Sequence, residues 1–160
     1  MIGGIRLKKN LRQHLLEEME TIHTVDCHSH TDSPKVYYDN GSYDLFTLMA
    51  YFNREVQALT GKTPNDLFKN ASSDHDRWRI LKDILTRTRN TSYWRHNIVV
   101  YQNLFGLQDS EINDQNWQRL NERIKKQTAD PRWYEHVTKD VCKLETQVKN
   151  VPWFQDWEPE

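Results

Sequence analysis

The sequence predicts a mostly α-helical chain with one or two short strands. Three observations carry that expectation. Apolar residues recur near every 3.6 positions through most of residues 43–139. Capping residues punctuate that stretch at helix-length intervals. Only two short segments, near residues 22–27 and 143–148, have strand texture.

The first predicted helix runs from Leu7 to Met19, with Leu7, Leu11, Leu15, Leu16 and Met19 as its apolar positions. Its basic residues come early and its Glu residues late. That order opposes the helix macrodipole, so the helix needs packing to hold it. Ile22-His23-Thr24-Val25-Asp26-Cys27 is rich in β-branched residues, lacks Gly and Pro, and reads as a strand. Asp32-Ser33-Pro34 and Asp39-Asn40-Gly41-Ser42 read as loop.

Asp44 is placed to cap a helix over Leu45 to Leu59 that stops at Gly61. Thr63-Pro64 opens a short helix through Phe68. Ser73 with Asp76 resembles a capping box ahead of Trp78, Ile80, Leu81, Ile84 and Leu85. Thr91 to Phe105 forms the next helix, closed by Gly106. Asn113 or Asp114 opens another around Trp117, Leu120 and Ile124. Asp130-Pro131 opens the last, with Trp133, Tyr134 and Val137. Lys143 to Val148 alternates polar and apolar like a strand. A βαβ unit needs about 30 residues, and the helical stretch here is far longer. Either it is a subdomain inserted after the first strand, or the chain is helical with a stray extended segment.

Composition excludes several classes. The 160 residues carry 22 Lys and Arg against 23 Asp and Glu, a formal charge of −1, without the basic surplus of a nucleic-acid binder. Mean hydropathy is −0.93, and no stretch approaches a membrane span. No apolar leader core is visible. Two Cys cannot form a disulfide framework, so a reducing compartment, the cytoplasm, is expected. Apolar residues are scarce at 36%, offset in part by six Trp, seven Tyr and five Phe. Trp78, Trp117, Trp133 and Trp153 read as core. Three Asn-x-Ser matches, at Asn40, Asn70 and Asn90, read as chance occurrences.

The chemistry concentrates in Thr24-Val25-Asp26-Cys27-His28-Ser29-His30. Side chains alternate along a strand, so Asp26, His28 and His30 share one face. Two imidazoles at that spacing can bind one metal ion, with Asp26 as an outer acceptor or a further ligand. A catalytic zinc normally takes three protein ligands. His14, His75, His96 and His136 sit on predicted helices as ordinary solvated residues, and His23 faces the other way. Cys27 also faces away and is expected to be buried. The local chain therefore contributes to a metal site without completing it.

Asp26-Cys27-His28-Ser29-His30 resembles the D-x-H-x-H end of the first barrel strand in the amidohydrolase superfamily. Leu85-Thr86-Arg87-Thr88-Arg89-Asn90-Thr91-Ser92-Tyr93-Trp94-Arg95, with Asn103-Leu104-Phe105-Gly106-Leu107 behind it, is similar to the subgroup containing uronate isomerase. The likeness spans roughly residues 5–154, and members of that subgroup carry a helical insertion after the first strand.

The resemblance implies the N-terminal portion of a metal-dependent (β/α)8 TIM barrel. On that basis, residues 1–30 hold the N-terminal helix and first strand. Residues 31–140 are the helical insertion, and residues 141–160 hold a second strand and the cut end. His28 and His30 are the implied ligands of a divalent metal, zinc first, with Mn, Fe or Co as alternatives. The remaining ligands lie on later strands, since such a barrel typically needs about 250 residues. The implied substrate is a small molecule such as a sugar acid. Tyr93 and Arg95 are candidate substrate contacts, Arg suiting a carboxylate, although the stronger reading puts Trp94 in the core and Arg95 in solvent. The implied reaction is aldose–ketose isomerisation or metal-assisted hydrolysis, and the chain by itself is expected to be inactive. Unpaired barrel edges predict self-association. The competing expectation is a non-catalytic helical interaction module.

Overall fold

The computed structural model describes residues 3–49 and 51–150, with side chains from residue 10 onward. The chain divides into two compact units. Unit 1 combines the residues up to Val36 with those from Tyr134, and unit 2 is Tyr37–Trp133. The division therefore lies inside the 31–140 span expected for the insertion.

Unit 1 contains α1 (Gly3–Met19) and β1 (Thr24–Ser29). Further on come a π-helical turn (His136–Val141) and β2 (Leu144–Lys149). The two strands pair in parallel, matching Thr24 with Leu144, Val25 with Thr146, Asp26 with Gln147 and Ser29 with Lys149. Register shifts interrupt the ladder after Thr24 and after Asp26. Backbone bonds close both ends: Thr24 N–H donates to Lys143 O at 2.8 Å, and Asn150 N–H donates to Ser29 O at 2.8 Å. Lys143 reverses the chain into β2 with φ +52°, a conformation costly for a residue with a Cβ. Its ammonium donates to the Glu20 carbonyl, which ties that turn to the entrance of β1.

Two expectations fail in this unit. The α1 stripe is not packed: Leu11, Leu15 and Met19 are 57%, 51% and 65% exposed. Cys27 is exposed, as is Cys142. Both failures share a cause, since among the described residues no second layer covers this two-stranded sheet or α1.

Pro34 and Asp39, each expected in a loop, are the first and last residues of the short helix α2 (Pro34–Asp39). Ser33 accepts from Val36 N–H at 3.4 Å, and Pro34 sits at the first helical position, where its missing N–H costs nothing.

Unit 2 holds α3 (Phe52–Thr60), α4 (Pro64–Phe68), α5 (Asp74–Thr88), α6 (Ser92–Phe105) and α7 (Trp117–Thr128). Next follows α8 (Trp133–Glu135), which starts in unit 2 and ends in unit 1. The caps at Thr63, Ser73 and Gly106 are where the sequence puts them. Thr63 and Ser73 accept from the Asp66 and Asp76 N–H groups, and Gly106 takes the left-handed φ of +63°. Thr60, Thr88 and Thr128 end their helices by donating to the carbonyl four residues back, at 2.7, 2.9 and 2.8 Å. The core gathers Phe52, Leu81, Trp94, Ile98, Tyr101 and Ile124, each at most 1% exposed. Trp78 stacks on Trp117, with ring centroids 5.5 Å apart. Trp133 is only partly buried, packed against this core, and Trp153 lies outside the described residues.

The expected Leu45–Leu59 helix is shorter than predicted and begins at Phe52. A local cap and two distant side chains take the groups that helix would have used. Asp44 Oδ1 accepts from the N–H groups of Phe46 and Thr47, each at 2.9 Å. The Leu48 carbonyl accepts from Tyr101 Oη at 2.8 Å, and the Met49 carbonyl from Asn97 Nδ2 at 3.0 Å. Helix α7 likewise opens at Asn116 rather than at Asn113 or Asp114, because Asp114 turns to bond the Trp78 indole N–H at 2.7 Å.

A polar network fastens α5, α7 and the segment before α3. Arg77 bridges Asp44 at 2.7 Å and Asp74 at 2.5 Å. Lys125 meets Asp74 at 2.6 Å. Asn121, 1% exposed, accepts from Leu45 N–H at 3.0 Å and donates to Asp74 at 2.9 Å. Burial works to raise the Asp74 pKa, but the hydrogen bonds from Lys125 and Arg77 outweigh it and hold the carboxyl below its usual range.

Candidate metal-binding pair at the end of the first strand

The strand period decides the geometry at the end of β1. Ser29 is 4% exposed, whereas its neighbours His28 and His30 are exposed. The chain bends directly after the strand. Ser29 Oγ donates to Thr31 Oγ1 at 2.9 Å and accepts from Thr31 N–H at 3.2 Å. This short turn rotates His30 towards His28, and their Nε2 atoms approach to 3.2 Å. The rings meet edge to face, with centroids 5.0 Å apart at 76°.

Two nitrogens this close need one proton between them, or one cation. If both carried a proton, two N–H donors would face each other. The spacing suits a metal ion: two zinc–nitrogen bonds of about 2.0–2.1 Å at tetrahedral angles put their nitrogens about 3.3 Å apart. The pair therefore fits two adjacent positions of one coordination sphere. Among the described residues, no group of three His, Cys, Asp or Glu side chains converges to complete it.

Asp26 sits behind the pair. Its Oδ1 accepts from the backbone N–H of His28 at 3.2 Å, so it braces the ligand-bearing strand through the main chain rather than through an imidazole N–H. Ser29 and Thr31 are the residues that sequence reasoning missed. Strand alternation gave no signal for them, since Val25 and Cys27, on the same face as Ser29, are exposed.

The other predicted site residues belong to unit 2. Arg95 pairs with Glu111 at 2.6 Å and donates to the Ser110 carbonyl at 3.2 Å. Tyr93 packs its ring on Tyr51, with centroids 5.7 Å apart. Trp94 between them is fully buried, in line with its reading as core.

No protein-family model, curated protein or solved structure matches the chain. No helix among the described residues is long and apolar enough to cross a membrane.

Proposed function

We propose that this chain supplies the first-strand metal ligands of a metal-dependent barrel enzyme of the amidohydrolase type, similar to uronate isomerase. The observation that carries this reading is the convergence of His28 and His30 to 3.2 Å at the C-terminal end of a strand that has a parallel neighbour. Ligand-bearing residues at the C-terminal ends of parallel strands are the pattern of such barrels. The helices between β1 and β2 then form the insertion, and the remaining ligands come from strands additional to these two.

In this reading His28 and His30 hold a divalent ion, zinc or alternatively Mn, Fe or Co. A bound ion would polarise a substrate oxygen or lower the pKa of a water. His28 and His30 bind through Nε2, and Asp26 fixes the backbone that aims them. The Ser29–Thr31 turn keeps His30 from following the strand direction. The substrate class is a small sugar acid, the reaction is isomerisation or hydrolysis, and the setting is cytoplasmic. Two ligands give weak metal affinity and no turnover in this chain alone.

Equilibrium dialysis against Zn²⁺, with the bound metal counted by mass spectrometry, tests the reading. We expect weak saturable binding that drops at least about tenfold, some 1.4 kcal/mol, in His28→Ala and in His30→Ala. Equal binding by both variants and the parent chain would favour the helical interaction module instead.

A further inference from the structure

Helix α1 carries a surface the fold leaves unused. Every side chain from Asn10 to Glu20 is exposed, and no other described element packs substantially along the helix. Leu11, Leu15 and Met19, four residues apart, form one ridge, and Leu16 lies beside it. Such a continuous apolar ridge, left in water, marks an interaction surface.

The charges on this helix are sorted by position. Arg6, Lys8, Lys9 and Arg12 occupy its N-terminal half. Glu17 and Glu18 lie in its last turn, and Glu20 follows directly. Each set opposes the helix's own macrodipole, so the lone helix is electrostatically unfavourable at both ends. An antiparallel helix of the same sequence reverses that. It brings Glu residues to the basic N-terminal half and basic residues to the acidic C-terminal end. A parallel copy would set like charges together.

We propose that α1 is a self-association surface whose occupant is the α1 of a second copy of this chain, packed antiparallel about a two-fold axis near Leu15. With Leu15 on the axis, Leu11 of one copy meets Met19 of the other. With the axis at Leu15 the two helices overlap over residues 11–19, a seam about 14 Å long. That is a small contact, so the dimer forms in the micromolar range or above rather than as an obligate pair. The two-fold makes the contact isologous and closed, which limits it to two copies. This inference is independent of metal binding at His28 and His30.

The test uses sedimentation velocity of the 160-residue chain across the micromolar range, at low and high salt. The parent chain should shift towards twice its protomer mass, and less so in high salt. Leu15→Glu should weaken association at least about tenfold. Two charge-reversed chains then separate this contact from all others. One carries Lys8→Glu, Lys9→Glu and Arg12→Glu, and the other carries Glu17→Lys, Glu18→Lys and Glu20→Lys. Each reversal favours its own helix dipole, so α1 stays folded in both. Each chain alone should stay monomeric, and an equimolar mixture should recover the parent affinity within about threefold. A monomeric parent overturns the proposal. So do reversed chains that associate as the parent does, which would move the contact to the sheet edge, and a mixture that fails to recover.

Discussion

Replacing Asn121 with Leu removes the α7 side chain that bonds both the segment before α3 and the α5 ion cluster. Leu carries as many side-chain heavy atoms as Asn, so no cavity forms. Asn121 Oδ1 is the acceptor for Leu45 N–H, and Leu45 is fully buried. Without it that N–H is stranded, at about 1–3 kcal/mol. Asn121 Nδ2 also donates to the Asp74 carboxylate, and a hydrogen bond to a charged group contributes about 1.5–3 kcal/mol. Asp74 keeps Arg77 and Lys125 and is 28% exposed, so the lower end applies to that part. The sum is about 2.5–4.5 kcal/mol. For a unit of this size each kcal/mol moves the melting temperature by about 4–8 °C, so the variant should melt at least about 10 °C lower. Trp fluorescence is the suitable probe, because Trp78, Trp94, Trp117 and Trp133 all lie in unit 2. A loss below about 1 kcal/mol would refute the idea that this network fastens α7 to the segment before α3.

Gly106→Ala should cost about 1–2 kcal/mol in urea unfolding, since Gly106 holds φ +63° and left-handed backbone penalises a Cβ by that amount. The new methyl would also meet Arg123 Nη1 at 2.6 Å, disturbing its hydrogen bond to the Phe105 carbonyl. Asp74 makes unit 2 acid-sensitive in a defined direction. Its folded pKa lies below the unfolded value, so its stabilisation is complete above the unfolded pKa and is lost as pH falls through the folded one. Asp74→Asn should therefore lower stability at neutral pH and flatten the acid limb of a stability–pH curve; an unchanged acid limb would contradict the assignment.

Much of unit 2 is legible in the sequence because its signals are local. Thr63-Pro64, Ser73 with Asp76, and Gly106 act within one turn of backbone, and each sits at the helix boundary it predicts. The errors fall where distant groups compete. Nothing near Leu48 and Met49 announces that Tyr101 and Asn97 will take their carbonyls, so the helix expected from Leu45 starts only at Phe52. Asp114 has the chemistry of a cap, but the Trp78 indole claims it across the core. In unit 1, periodicity identifies the α1 stripe but does not say whether anything covers it, and the same holds for Cys27. The shared face of His28 and His30 follows from the strand period. Their convergence does not, because it depends on the Ser29–Thr31 turn.

If His28 and His30 form one site for a single metal ion, the two rings must respond to that ion as a pair. Imidazole proton resonances, assigned with His28→Ala and His30→Ala, can be followed while substoichiometric Mn²⁺ or Co²⁺ is added. The His28 and His30 signals should broaden or shift together, at lower metal concentrations than those of His14, His23, His75, His96 and His136. Removing either ring should abolish the effect on the other. Two rings that titrate independently, or another histidine that broadens at lower metal concentration than this pair, would contradict the shared site.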